Sequence, residues 1–167
     1  ICSCEVKGLV MANETTLDTL ALASRLVPAD VKPLSAREYW TVSRTPEWAS
    51  ATSASALSAE GGLERALAER VVVLLKRRTV LALMVEQLEQ SGVWTIAPQD
   101  PSYPSRMLER LGDSAPPLLH GVGDVALLKQ DGLGVVGSRN VDPEGAEIAV
   151  QAGRVAASLG LPLVSGA

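Results

Sequence analysis

The chain has 167 residues, 47% apolar and 20% charged, which is material for one ordinary domain or for one small domain with part of another. A formal net charge of −4 excludes DNA binding driven by overall basicity, and 3% aromatic residues with no Phe argue against a stacking platform for single strands. No apolar run approaches the roughly 20 residues that cross a bilayer, because the longest, Val71–Leu75 and Val80–Val85, are split by Lys76-Arg77-Arg78.

Residues 1–12 read as a tail. Cys2 and Cys4 make a C-x-C pair with no second pair, and the single histidine, His120, is remote in sequence. Neither a disulfide framework nor a metal site is expected, and no cofactor is implied. Met11 is a candidate natural start, and Ile1–Gly8 has no sustained apolar stretch of the signal-peptide kind.

Residues 13–91 read as a small helical domain. Leu17, Leu20, Ala21, Ser24 and Val27 fall near one helical face, with Thr15 or Thr16 as cap and Pro28 as stop. Ser35-Ala36-Arg37-Glu38 has the spacing of a capping box and opens a short helix through Val42. The Ala/Ser-rich stretch Ser50–Ser58 reads as a short helix that breaks at Gly61-Gly62. A helix over Leu63–Leu75 and another over about Thr79–Gln90 follow, with Leu67/Val71/Leu74 and Leu81/Val85/Leu88 as buried stripes.

After Gly92 the pattern changes. Val93–Ile96 reads as a strand, Asp100–Pro104 as a rigid turn held by two prolines, and Ser105–Leu111 as a short helix. Leu118–Gly121 is a strand, Val125–Lys129 a short helix, and Leu133–Val136 a buried-type strand. A helix over about Pro143–Leu159 ends at Gly160, and Leu161–Val164 is the next strand. Strand, helix, strand at this spacing predicts a βαβ unit. The fold class is therefore α/β: a helical domain followed by an incomplete Rossmann-like parallel sheet over 92–167, expected to be the front part of a longer protein.

The segment that carries chemistry is Val135-Val136-Gly137-Ser138-Arg139-Asn140. A strand runs into a small-residue turn and a helix follows. Glycine allows a tight turn and close ligand approach, the serine offers a hydroxyl, and the guanidinium is a planar fork suited to phosphate. Free N–H groups of the following helix would favour an anion. Ser165-Gly166 ends the neighbouring strand on the same expected edge, where ligands of open α/β sheets bind. The candidate phosphate-binding residues are Gly137, Ser138, Arg139, Asn140, Ser165 and Gly166. The competing reading is an ordinary βα turn with a solvated arginine, and Asp142, Glu144 and Glu147 nearby oppose an anion.

Gly132-Leu133-Gly134-Val135-Val136-Gly137 matches G-x-G-x-x-G in letters only. Its first glycines precede or begin the strand, and no acid ends the second strand to hold a ribose, so NAD binding is rejected. His120 reads as a core or edge histidine, Lys76-Arg77-Arg78 as a solvated turn between helices, and Trp40, Trp48 and Trp94 as core or interface residues.

From about Leu81 to Ala167 the chain resembles the DprA/Smf family of bacterial DNA-processing proteins. The residues that carry the resemblance are Leu88-Glu89-Gln90-Ser91-Gly92, Trp94-Thr95, Asp100-Pro101-Ser102-Tyr103-Pro104, Leu108, Leu111, Pro116-Pro117-Leu118-Leu119 and Gly123–Leu128. The most specific are Val135–Arg139 with Gly145, and Val164-Ser165-Gly166. The resemblance implies a Rossmann-like, non-catalytic protein of the cytoplasm. Such a protein binds single-stranded DNA and loads the recombinase RecA in transformation and recombination, and the Gly137-Ser138-Arg139 loop would meet DNA phosphate. It also implies a homodimer, through regions mostly outside this chain, and no membrane partner. This sequence ends at Ala167, where the family's Arg-Gly-x-Asp segment would follow Ser-Gly, and one departure lies inside the match: Val122 occupies a position that is often Arg. The alternatives are a nucleotide-binding sensor and an enzyme of the nucleotide phosphoribohydrolase type, whose Gly-rich loop followed by Glu would fall in a region that this sequence does not cover.

Overall fold

The computed structural model describes residues 14–59, 61–138 and 140–166. The expected tail, with Cys2, Cys4 and Met11, lies outside the described residues, and so does Arg139. The chain divides into two compact units that part between Val125 and Ala126.

The first unit is built on helices α1 (Glu14–Ala23), α2 (Ala36–Ser43), α3 (Ala54–Ala59), α4 (Arg65–Leu75) and α5 (Arg78–Gln90). The expected stripes supply part of its core: Leu20, Val71, Leu74 and Leu81 are fully enclosed, joined by Leu22, Tyr39 and Val42, while Leu67 and Leu88 are only half-buried. The α2 capping box forms as its spacing predicts. Ser35 Oγ accepts from the Glu38 N–H at 3.4 Å, and Glu38 Oε2 accepts from the Ser35 N–H at 2.7 Å.

Helix α1 ends at Ala23, before the expected stop at Pro28, because side chains satisfy the chain beyond it. Ser24 Oγ accepts the Leu26 N–H at 3.0 Å. Arg77, in the two-residue turn between α4 and α5, donates to the carbonyls of Ala21, Ser24 and Val27 at 3.3, 3.1 and 2.7 Å. It thereby caps the carbonyl end of α1 with a positive charge, where the helix dipole favours one. Arg78 pairs with Asp18 and donates to the Ala49 carbonyl. Two members of the basic trio are thus structural ties and not a solvated turn.

Strands β1 (Val93–Ile96) and β2 (Leu119–Val122) pair antiparallel, with Trp94 opposite Gly121 and Thr95 opposite His120. One parallel sheet over 92–167, the expectation from sequence, is not what forms among the described residues. The segment between these strands, which includes helix α6 (Ser105–Leu111), is pinned so that β2 runs back along β1. Tyr103 donates its hydroxyl to the Pro116 carbonyl at 2.6 Å, and the Trp40 indole N–H donates to the Ala115 carbonyl at 2.9 Å. Asp100 Oδ1 accepts the Ser102 N–H at 2.7 Å and closes the proline-flanked turn. Alternating burial along β2 is the pattern of an antiparallel strand covered on one face.

The second unit holds β3 (Leu133–Val135), helix α7 (Pro143–Ser158) and β4 (Leu163–Ser165). β3 and β4 pair in parallel with α7 as the connection, as the βαβ reading requires. Gly160, at φ 65°, lets the chain leave α7 in the left-handed region. Among the described residues α7 buries only Ala156, and β4 is exposed along its length.

Candidate phosphate-binding edge

Parallel pairing decides where the candidate residues lie. Leu133 faces Leu163, Gly134 faces Val164 and Val135 faces Ser165. The two strands therefore end level, and Val136-Gly137-Ser138 leaves the sheet beside Ser165-Gly166. Gly137, Ser138, Asn140, Ser165 and Gly166 are all exposed at this carboxyl edge. The side chain of Arg139 lies outside the described residues.

Local bonding shapes the loop. Ser138 Oγ accepts the Asn140 N–H at 3.2 Å, which folds the turn back on itself. Ser165 Oγ donates to the Gly166 carbonyl at 3.3 Å. Gly137 has no positive φ. A Cβ at Gly137 or Gly166 would meet nothing within 4 Å, so both glycines leave open room beside their peptide groups.

The end of α7 differs from the expectation of several free donors. Asp142 is the N-cap, and its Oδ1 accepts the Gly145 N–H at 2.8 Å. Pro143 at the first helical position has no N–H, and the Ala146 N–H already bonds the Asp142 carbonyl at 3.0 Å. Among the described residues only the Glu144 N–H of the first turn is left without a partner, and a carboxylate now sits at the positive end of the dipole. Gly145 is glycine for a steric reason: a Cβ there would press on Val141 and on the capping carboxylate. An anion at this edge would be held by the loop, not by the helix end.

The other sequence candidates have structural roles. Trp94 lies over Gly121, where any Cβ would run into the indole ring, and its N–H donates to the Gly123 carbonyl at 2.9 Å. Trp48 is buried in the helical core. His120 is an edge histidine on β2, with Nδ1 2.8 Å from the hydroxyl of fully buried Thr95. His120 is exposed as a residue, while partial burial of its ring pushes its pKa below the usual value. Among the described residues, no cluster of three or more His, Cys, Asp or Glu is placed to hold a metal ion. No described helix is long and apolar enough to cross a membrane.

Sequence reasoning missed a cavity that brings Arg25, Ser35 and His120 to one wall of the first unit. Nothing short-range marks it, because its residues come from three remote stretches: the end of α1 and the chain just after it, the start of α2 and the chain just before it, and the start of β2.

Residues 94–167 match the family model described as DNA recombination-mediator protein A. The family resemblance drawn from the sequence thus holds over that part of the chain, and it ties this part to DNA processing in recombination. No curated protein and no solved structure matches the chain.

Proposed function

We propose that the chain binds single-stranded DNA through its phosphates at the carboxyl edge of β3 and β4, with Gly137, Ser138, Arg139, Asn140, Ser165 and Gly166 as the contact residues, and that it acts in handing the strand to RecA. The observation that carries this reading is the register of β3 and β4, which ends Val135 and Ser165 level and sets both loops on one edge within the family-matched region. Open room beside Gly137 and Gly166 suits a backbone that must approach closely. The role is one of binding without turnover, in a cytoplasmic protein that works as a homodimer. Residues 92–167 are read as the first part of its Rossmann-like DNA-processing domain, and 13–91 as its helical domain.

Phosphate contacts position a strand and carry no base information. Binding through this edge should therefore be alike for oligonucleotides of different sequence. Fluorescence anisotropy with labelled single strands tests this. The double variant Ser138→Ala/Arg139→Ala should bind every strand about tenfold more weakly. Affinity that follows base composition, or that survives the double variant, would contradict the reading.

A further inference from the structure

The first unit contains an open cavity of about 480 Å³, lined by Arg25, Leu26, Leu34, Ser35, Leu118 and His120 among others. That volume falls within the roughly 300–1,000 Å³ range of small-molecule sites. Its walls combine apolar side chains with a few polar groups, which is the usual composition of such a site.

The charges around this cavity do not cancel. The carbonyl end of α1 at Ala23-Ser24 forms part of its wall, but Arg77 already caps it. The carboxylate of Glu38, beside Ser35, is held by Arg70 at 2.6 Å. Arg25 is exposed and has no hydrogen-bond or ion-pair partner among the described residues. It leaves one unspent planar cation in a cavity whose negative features are compensated elsewhere.

His120 adds a second directed group. Its Nδ1 is engaged by Thr95, which leaves Nε2 as the nitrogen available to a ligand. We propose that this cavity is a binding site for a phosphate monoester with an apolar or heterocyclic body. Arg25 would grip the phosphate, His120 Nε2 would share a hydrogen bond with it, and Leu26, Leu34 and Leu118 would cover the body. Phosphate suits this pair better than a carboxylate. Its second pKa is about 6, in the range where an imidazole also titrates, so the two can share a proton in a hydrogen bond. The site stands in the first unit and is independent of the reading given to the β3–β4 edge.

His120 is the only histidine, so its imidazole gives a single resolvable NMR signal. The purified chain is titrated with thymidine monophosphate, with inorganic phosphate and with thymidine. The expected result is a saturable shift of the signal by the nucleotide, a weaker shift by phosphate and none by thymidine. Arg25→Ala should keep the ligand-free signal in place, as a folded chain requires, and should weaken nucleotide binding about tenfold. A 5′-phosphorylated oligothymidylate compared with its 5′-hydroxyl form separates the two sources of such a group. Response to the phosphorylated strand assigns a strand end, and response to the free nucleotide alone assigns a metabolite-sized ligand; either supports the site. No saturable shift, an equal shift by thymidine, or affinity unchanged in Arg25→Ala would overturn it. Loss of binding at the β3–β4 edge would not move this signal, so the two proposals fail separately.

Discussion

Val135 and Ser165 face each other across the parallel β3–β4 pair, each the last residue of its strand. A slip of one residue would leave one loop short of the other and would send neighbouring side chains to opposite faces. The level ending explains why two Ser/Gly-containing segments, far apart in sequence, share one edge. It also places the capping carboxylate of Asp142 at the start of the helix that leaves this edge.

That carboxylate gives the first prediction. Asp142→Asn keeps an oxygen for the Gly145 N–H but removes the negative charge. Stability should change little, because Asn caps about as well as Asp. If phosphate binds at this edge, affinity for single strands should rise about two- to fivefold, the worth of one charge at a helix end. Asp142→Ala should instead destabilise α7 by about 1 kcal/mol. Urea melts and anisotropy on the two variants separate the cap from the charge.

Arg77 gives a second. Arg77→Met keeps the stem but leaves the carbonyls of Ala21, Ser24 and Val27 without their donor. The expected loss is about 1–3 kcal/mol, the cost of unsatisfied partly buried groups. Arg77→Lys should recover only part of it, since an ammonium cannot span three acceptors as a guanidinium fork does. Equal stability of wild type and Arg77→Met in denaturant melts would contradict the capping role.

Glu38 makes stability depend on acid. Hydrogen bonds from Arg70, and then from Ser35, hold its carboxyl at about 2, below the ordinary 4.5. A group with a depressed folded pKa contributes fully above its unfolded value. Its contribution is therefore complete above about 4.5 and is lost as pH falls from there toward about 2. Glu38→Gln should be less stable than wild type at neutral pH and should show a flatter decline through that window. Parallel declines in the two proteins would show that other carboxyls control the acid limb.

Gly121 tests the β1–β2 pair. Any side chain there displaces the Trp94 ring, which also holds the Gly123 carbonyl. Gly121→Ala should cost about 1–3 kcal/mol, as overpacking does, and should change tryptophan emission. A stable variant with unchanged emission would show that the ring has room to yield.

Local signals in the sequence were legible where one residue type settles a local geometry. The Ser35/Glu38 box, Pro143 at the start of α7 and the glycines at 92 and 160 mark helix limits correctly. Helical periodicity picked out Val71, Leu74, Leu81 and Val85 as core. Pairing of β1 with β2 was not legible, because it depends on remote hydrogen bonds from Trp40 and Tyr103 that no short window shows. Arg77 and Arg78 looked like surface charge for the same reason: their partners are about fifty residues or more away for Arg77, and on α1 and at Ala49 for Arg78. At the candidate edge the parallel pairing of β3 with β4 was legible from the strand–helix–strand spacing, but Asp142 stood in the sequence only as an acid opposing an anion, because its role as cap shows only in its bond from the Gly145 N–H.

The central claim is that phosphate meets the loop after β3, and Arg139 is the residue on which it turns. The most direct measurement is single-strand affinity as a function of salt, for wild type and Arg139→Ala. Each phosphate neutralised on a single strand contributes roughly 0.7 to the slope of log K against log salt. Loss of one such contact should lower the slope by about that amount and weaken binding equally for all sequences. An affinity and a slope unchanged by Arg139→Ala would mean that the loop only shapes the sheet edge and that DNA does not bind there.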